Sequence, residues 1–182
     1  MEVILASASP RRRELLRIIT PEFRVEPAEV EETHPEGLEL VRVPEYLAGI
    51  KAAAVAAKYP EALVIGCDTG VFIDGLMLGK PADRGEAGKI LRRLSGRRHQ
   101  VITGCCVIAG GRQRCFSETT DVEFYPLTDK QIEEYLDLGE YKDKAGAYGI
   151  QGAGALLIRG ICGDYYNVMG LPVGRLAREM KS

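Results

Sequence analysis

The sequence predicts an α/β fold, and three observations indicate it. Residues 62–67 form a continuous apolar run that ends at Asp68-Thr69-Gly70, which is typical of a central strand buried on both faces. Residues 99–109 and 113–125 are two long strand-like segments joined at Gly110-Gly111, a pair that favours a hairpin. Segments of helical periodicity alternate with these strands, so helices are expected to cover the sheet.

Composition is that of one ordinary globular domain. With 182 residues, 46% hydrophobic and 27% charged, the chain can bury a core without disulfides or metal staples, either as one body or as two closely joined lobes. No linker or internal repeat interrupts it, so residues 1–182 are expected to form a single domain. The net charge of -2 argues against general nucleic-acid or membrane binding. Without a signal-like leader or a bilayer-length apolar run, the expected compartment is the cytoplasm.

The cysteines are interpreted as structural and reduced. Their number is odd, they lack C-x-x-C spacing, and four of the five occupy apolar, strand-like segments that favour buried thiols. They are Cys67, Cys105, Cys106, Cys115 and Cys162.

The stretch LASASPRRRELL, residues 5–16, predicts a strand, a serine-rich turn and a helix that begins with Ser9 as N-cap and Pro10 as first residue. Three arginines, residues 11–13, then occupy the first turn, where the helix dipole disfavours cations. The exposed N–H groups and the arginines together suit an anion such as phosphate, although a capped helix with solvated arginines is the plain alternative. The core face of this helix is expected to comprise Leu15, Leu16, Ile18 and Ile19.

An acidic stretch and a helix follow. Glu29, Glu31 and Glu32 lie in a segment of little periodicity, which is either a solvated loop or a source of a carboxylate for a metal. Residues 38–59 have a helical pattern that Pro44 is expected to split in two. Lys51 lies in the alanine-rich second piece, and a lysine there is usually solvated unless its neighbours point inward.

Asp68 is predicted at the end of the central strand, where α/β proteins tend to place ligands, although an Asx-turn is the structural alternative. Asp74-Gly75 predicts a two-residue hairpin turn. The returning strand would bring Lys80 back to the level of Asp68, as a structural ion pair or as part of a phosphate clamp.

The rest of the chain predicts helices capped by Asp83 and by Thr128 with Gln131, a strand over residues 156–161, a turn over 163–168 and a last helix over 173–180. Between them, the string KAGAYGIQG, residues 144–152, is rich in glycine and alanine, which indicates backbone packed closely against something. Gln151 in this string could read a nucleobase edge, or could be an ordinary surface glutamine.

Five strings together resemble the Maf family of nucleoside triphosphate pyrophosphatases, in order and over nearly the whole chain: LASASPRR, GCDTGVF with GKP, SGRRHQVITG, DKAGAYGIQG and GDYYNVMGLPV. The resemblance implies an elongated mixed sheet in two lobes with flanking helices, related to inosine triphosphate pyrophosphatases, with the active site in the cleft between the lobes. It also implies cleavage between the α and β phosphates with Mg²⁺ or Mn²⁺, and a homodimer. The KAGAYGIQG form is similar to the branch that prefers dTTP, UTP and modified pyrimidine triphosphates.

The resemblance carries functional roles onto residues of this chain. Asp68 matches the catalytic aspartate, and Glu32 matches the family's acidic residue, so both are expected to bind the metal. Base choice is linked to Arg11, Thr69 and Gln151. The expected phosphate-binding residues are Ser7, Arg11, Arg12, Lys51 and Lys80.

Hydrolysis here requires in-line attack of water on a phosphorus surrounded by negative oxygens, so positioning and charge neutralisation matter most. Asp68 would act as the general base, as the family pattern implies, or would bind a metal or orient the water. We favour the second because cations lower the proton affinity of an aspartate. Arg12→Ala is expected to affect turnover far more than folding, and Arg13 is expected to be the solvated arginine.

Two other functions compete. Maf proteins have been linked to inhibition of septum formation, so a regulatory role through a partner is the main alternative, but the sequence has no DNA-reading motif or basic aromatic surface. A nucleotidyltransferase would also use an arginine-bearing turn, but its glycine-rich signature is absent from LASASPRR.

Overall fold

The computed structural model describes residues 1–181 and contains a seven-stranded sheet with helices on both faces. The helices are α1 (Pro10–Ile19), α2 (Val43–Ala56), α3 (Arg84–Leu94), α4 (Asp129–Asp137), α5 (Tyr165–Met169) and α6 (Val173–Glu179). The strands are β1 (Val3–Leu5), β2 (Arg24–Val25), β3 (Leu63–Ile73), β4 (Leu76–Leu78), β5 (Arg98–Ala109), β6 (Arg112–Phe124) and β7 (Ile158–Cys162). Across this described part of the chain, no helix combines the length and apolarity needed to cross a membrane.

The sheet is mixed, in agreement with the predicted class. The strand order is β2-β1-β3-β5-β6-β7, and β4 pairs with β3. β1 runs parallel to both β2 and β3, whereas all other pairs are antiparallel. The predicted Gly110-Gly111 hairpin is confirmed, because β5 and β6 pair from Arg98↔Glu123 to Ala109↔Arg112.

The edge of β3 that faces away from β5 has a gap. β1 pairs with residues 63–65 on this edge and β4 pairs with residues 71–73, while β5 pairs continuously with residues 64–72 on the other edge. In the part of the chain that the structure describes, residues 66–70 therefore have a strand on one side only. This open segment contains Asp68 and Thr69.

α2 lies unusually close to one face of β3 and β5. A Cβ added at Gly66 would lie 2.2 Å from the Ala48 carbonyl oxygen, and one at Gly104 would lie 2.2 Å from the Glu45 nitrogen. Only glycine fits at both positions, since real Cβ atoms do not approach backbone so closely. This face forms a small core with Ile4, Val64 and alanines of α2.

The opposite face of the sheet carries two larger cores. One, around Leu5, Ile65 and Leu176, packs α1 and α6 against the β1 end of β3. The other, around Val71, Leu91 and Ile132, packs α3 and α4 against the β4 end. The gap in the edge of β3 lies between these two ends.

Several boundaries differ from the predictions. β3 does not end at Asp68 but continues to Ile73, because β5 pairs through this point. Pro44 lies in the first turn of α2, where a missing N–H costs nothing, so only a 3₁₀ turn precedes it. Residues 163–168 are not only a turn, because α5 begins at Tyr165 after its N-cap, Asp164.

The predicted core face of α1 is wrong at Ile18, which is 63% exposed. Leu15 and Leu16 are buried and Ile19 is half-buried, so the buried stripe runs through these three residues. Ile18 is displaced from the middle of that stripe by roughly 100° around the helix. Periodicity alone did not show how narrow the contact with the sheet is.

The prediction of four buried cysteines is also wrong. Cys67, Cys105 and Cys106 are buried in the centre of the sheet, whereas Cys115 and Cys162 are exposed. The exposed pair lie on β6 and β7, towards the sheet edge, where the apolar pattern is weaker. All five are free thiols.

A buried histidine lies in the core at the β4 end of the sheet. The His99 Nε2 is 2.7 Å from the Tyr148 hydroxyl oxygen, and the two rings pack edge-on with Phe124. Burial lowers the pKa of His99 to about 4. The ring is therefore neutral in the folded protein throughout the neutral range.

This burial predicts a loss of stability in acid. Between pH 6.5 and 4 the unfolded chain binds a proton at His99 that the folded protein does not, so folding becomes less favourable as pH falls, by up to about 3 kcal/mol. His99→Gln removes this proton while leaving a group that can pair with Tyr148. Urea unfolding of both proteins from pH 7.5 to 4 should show the wild type losing more stability than the variant. A constant difference between them across that range would contradict the prediction.

Candidate active site

The turn between β1 and α1 is built by its two serines. Ser9 caps α1 by accepting the Arg12 backbone N–H at 3.4 Å, and Pro10 begins the helix, as predicted. The Ser7 hydroxyl oxygen, which is buried, accepts the Ser9 N–H at 3.3 Å and the Arg12 Nη1 at 3.2 Å. The turn therefore directs the first helical residues towards the open segment of β3.

The guanidinium of Arg12 donates most of its hydrogen bonds to other groups of the protein. Its Nε donates to the Gly170 carbonyl at 2.8 Å, and its Nη1 also donates to the Cys67 carbonyl at 3.0 Å. Its Nη2 donates to the Thr69 hydroxyl at 2.9 Å. Arg12 thus links the β1–α1 turn, the open edge of β3 and the end of α5. Only a small part of its donor capacity is left for a ligand.

The neighbouring arginines are less tightly bound. The Arg11 Nε donates to the Met169 carbonyl at 3.4 Å, a long bond, and burial together with the charge of Arg12 lowers the Arg11 pKa. Arg13 was expected to be solvated, but it is half-buried, and its Nε is shielded from solvent without a hydrogen-bond partner among residues 1–181. Compared with Arg12, Arg11 therefore has more of its guanidinium available.

Thr69 belongs to a hydrogen-bond chain with one direction. The Thr103 hydroxyl donates its proton to the backbone carbonyl of Asn167 at 3.0 Å. In the 2.9 Å contact between the two threonine oxygens, Thr69 is therefore the donor. Thr69 in turn accepts from Arg12. Because its own proton is committed, the Thr69 hydroxyl can offer a substrate only an acceptor lone pair.

Lys51 joins the two predicted carboxylates. Its Nζ lies 2.7 Å from the Asp68 Oδ1 and 2.9 Å from the Glu32 Oε1. The Lys51 and Asp68 side chains are only 11% and 15% exposed, whereas Glu32 is 60% exposed. Lys51 is therefore not the solvated lysine of the plain interpretation. The acidic loop likewise places one carboxylate at the site.

The carboxylate pair fits one part of a Mg²⁺ or Mn²⁺ site. Mg²⁺ is usually held by one or two carboxylates together with substrate phosphates and waters, and Asp68 and Glu32 converge on a single cationic nitrogen. Among residues 1–181, no cluster of three or more metal-binding side chains occurs. Asp68 and Glu32 could hold a metal only with ligands that the substrate and water supply.

Lys80 does not pair with Asp68 as predicted. The hairpin at Asp74-Gly75 is confirmed, with both residues at positive φ, and Val71 pairs with Leu78. Lys80 is exposed beyond the end of β4, and within residues 1–181 the ion pair to Asp68 comes from Lys51. Its predicted role towards phosphate remains a prediction.

The glycine-rich segment is packed tightly, as expected. Gly146 has φ +74°, its N–H donates to the Gly79 carbonyl at 3.2 Å, and an added Cβ would lie 3.0 Å from Val71. A Cβ at Gly154 would lie 1.7 Å from the Gly149 carbonyl oxygen. Gln151 is exposed at the start of a 3₁₀ turn, Gly152–Leu156.

Two residues missed by sequence reasoning hold this segment. The Glu140 carboxylate accepts the Ala153 N–H at 3.1 Å, and its backbone carbonyl accepts the Lys144 ammonium. Burial, followed by the charge of Arg11, lowers the pKa of Lys144, so Lys144 adds a third cation to the surroundings of Arg11 and Arg12. Lys144 opens the KAGAYGIQG string, but its glycines gave the clearer signal.

The hydrogen bonds of Arg12 change what its removal should do. Arg12→Ala leaves the buried acceptors around Gly170, Cys67 and Thr69 without donors, so we expect a loss of about 2–4 kcal/mol in unfolding free energy as well as reduced turnover. Arg11→Ala is the matched control, with an expected stability loss below about 1 kcal/mol. Urea unfolding measures both. Equal losses in the two variants would show that the Arg12 contacts do not hold the fold together.

The fold resembles that of a known structure. The Staphylococcus aureus Ham1 protein aligns with a TM-score of 0.51 and 22% identity, over 68% of this chain and 72% of that one. The likeness supports the mixed α/β architecture expected from the sequence.

The chain belongs to the Maf family, because the protein-family model described as Maf-like protein matches residues 2–182 of its sequence. Three relatives are each named dTTP/UTP pyrophosphatase. The protein of Symbiobacterium thermophilum is 52% identical over 98% of this chain and 92% of its own length. Those of Bacillus velezensis and Koribacter versatilis are each 49% identical, over 98% and 100% of this chain and 95% and 94% of their own lengths.

Proposed function

We propose that this protein is a nucleoside triphosphate pyrophosphatase that hydrolyses dTTP and UTP to the monophosphate and pyrophosphate. The observation that carries the proposal is the convergence of Lys51, Asp68 and Glu32 at the open edge of β3, beside the arginine-bearing turn. Relatives that share about half of its residues over nearly the whole chain bear the name of this activity.

The triphosphate tail would lie along the turn from Ser7 to Arg12. Arg11 has more of its guanidinium available than Arg12 has, and Arg12 adds charge at a fixed place. Lys51 faces the carboxylates, and Lys80 would approach from the exposed end of β4. Such fixed cations lower the barrier because they neutralise charge on the transferring phosphorus without reorganising.

Asp68 and Glu32 would hold a divalent cation against the phosphates. A bound Mg²⁺ or Mn²⁺ supplies charge neutralisation and polarises phosphate oxygens. The Asp68 Oδ1 already lies 2.7 Å from the Lys51 ammonium, and an oxygen that accepts from a cation is better placed to bind a metal or orient water than to take a proton as a general base. Water would then attack the phosphorus in line, with pyrophosphate as the leaving group.

Asp68→Asn tests this assignment. The amide keeps the shape of the side chain but loses its charge, so turnover of dTTP should fall at least about 100-fold. Pyrophosphate release is measured with and without Mg²⁺ or Mn²⁺, and Asp137→Asn, an exposed carboxylate at the end of α4, is the matched control. Turnover within a few-fold of wild type would exclude both roles of Asp68. Failure of the wild type to release pyrophosphate from any nucleotide would overturn the function itself.

Base selection would rest on Arg11, Thr69 and Gln151. Thr69 can only accept, which suits the N3–H of uracil or thymine, and Gln151 offers both a donor and an acceptor to the carbonyl and N–H edge. A site built for such bonds rejects bases that leave its groups unpaired. Glu140 and Lys144 would keep the Gln151 segment in place.

Gln151→Ala should weaken the preference for pyrimidine nucleotides over GTP. We expect kcat/KM for dTTP and UTP to fall about 10- to 100-fold while the value for GTP changes little. Gln131→Ala removes a capping glutamine of α4 and controls for a general loss of stability. Steady-state kinetics with the three nucleotides measure these values. An unchanged ratio of kcat/KM for dTTP to kcat/KM for GTP would show that Gln151 has no role in base selection.

The regulatory alternative is that the protein acts on septum formation through a partner. Among the described residues, no feature favours this alternative over a nucleotide-pool enzyme. Nucleotide pools make the cytoplasm the expected compartment. A homodimer stays a prediction.

A further inference from the structure

Two cysteines face each other across the long hairpin. Cys106 on β5 pairs with Cys115 on β6 in the sheet register. Directly opposite Cα atoms in antiparallel strands lie about 4.5–5.5 Å apart, which falls within the range that a disulfide spans. Cys106 is buried, whereas Cys115 is exposed. One thiol of the pair is therefore accessible to a reagent and the other is sheltered beside it.

Both thiols lie on the same face of the sheet. Cys106 belongs to the small core beneath α2, with Ala48 and Ala52. Cys115 lies at the same helix, since a Cβ added at Gly49 would be 3.6 Å from its sulfur. A shared face is what a bond between opposite cysteines requires, because side chains of a strand alternate between faces.

The surroundings of Cys115 favour its thiolate. The Gln113 Nε2 donates to the Cys115 Sγ at 3.2 Å. Interaction with the neighbouring Cys106 thiol is the main reason that the pKa of Cys115 falls to about 7. The same interaction, with burial, raises the pKa of Cys106. Since the thiolate is the reactive form, Cys115 is activated, whereas Cys106 stays protonated and unreactive until Cys115 has been modified.

We propose that Cys115 is a modification site for low-molecular-weight disulfides and that Cys106 is its resolving thiol. The Cys115 thiolate attacks one sulfur of a disulfide RS–SR, the S–S bond of the reagent breaks, and RS⁻ leaves. Cys115 is then a mixed disulfide. It no longer carries the negative charge that kept the proton on Cys106.

Resolution follows from that change. Cys106 gives its proton to the first RS⁻, and the resulting Cys106 thiolate attacks the Cys115 sulfur of the mixed disulfide. A second RS⁻ leaves and takes up a proton from solvent, which replaces the one that Cys115 lost when it became a thiolate. In total, two protein thiols are oxidised to one disulfide and one RS–SR is reduced to two RSH. The product links β5 to β6 without moving either strand out of register.

Cys162 provides an internal control. It is also exposed, but it lies on β7 opposite Asp121 and not opposite a cysteine. The native full-length protein is incubated with oxidised glutathione at pH 7, quenched with acid, digested and analysed by mass spectrometry. We expect Cys115 to react at least about tenfold faster than Cys162, followed by conversion of its glutathione adduct to a Cys106–Cys115 disulfide.

Variants separate the two roles. Cys106→Ala should accumulate the glutathione adduct on Cys115, and Cys162→Ser should leave the formation of the disulfide unchanged. Equal or faster reaction at Cys162 would overturn the assignment of Cys115, and an adduct that persists in the wild type would overturn that of Cys106. If Cys106→Ala does not fold, Cys106→Ser and the pH dependence of Cys115 alkylation in the wild type serve instead. A midpoint near pH 7 is expected, and one above pH 8.5 would overturn the proposal.

Discussion

The close approach of α2 to the sheet is the constraint on which the rest of the site depends. The missing side chains of Gly66 and Gly104 allow the helix backbone to touch β3 and β5 directly. At this distance the buried Lys51 on α2 places its Nζ 2.7 Å from the Oδ1 of Asp68 on β3. A helix one side chain further out would leave Asp68 without its cation. Two strand glycines thus determine the position of a charged pair.

A second constraint explains how three arginines can begin a helix. Cations at a helix N-terminus are unfavourable with respect to the dipole, but the guanidinium of Arg12 extends away from the helix to carbonyl oxygens of β3 and of the α5 end. The Cys67 carbonyl of β3 is available because β1 leaves the edge of β3 at residue 65 and β4 joins it at residue 71. The gap in the sheet therefore leaves room for the candidate site and provides one of the acceptors that stabilise Arg12.

The sequence predicted the elements well where local chemistry determines them. The Ser9 cap, the Thr128 and Gln131 capping box and the Asp74-Gly75 turn formed as expected, because each depends on residues within a few positions. What failed depends on distant partners. Asp68 lies within a strand because β5 pairs past it, and Ile18 is exposed because the sheet covers only a narrow stripe of α1.

The candidate site shows the same division. The family resemblance selected Asp68, Glu32 and Lys51, and the structure brings those three together. It could not indicate that Arg12 donates most of its hydrogen bonds within the protein, since Cys67 and Gly170 lie far from Arg12 in the chain. It also gave no sign that the Glu140 carboxylate accepts the Ala153 N–H.

Lys51 also bears on how a metal and a phosphate could share this site. Two carboxylates on one ammonium leave about one net negative charge, which suits a divalent cation only if some ligands come from elsewhere. The nearby cations Arg11, Arg12 and Lys144 disfavour a metal alone, because like charges repel, and favour it once a triphosphate brings its negative oxygens. Metal and substrate would therefore bind with mutual support: each neutralises charge that otherwise opposes the other. Such coupling must be reciprocal, so bound metal would tighten the binding of the nucleotide by the same factor by which bound nucleotide tightens the binding of the metal.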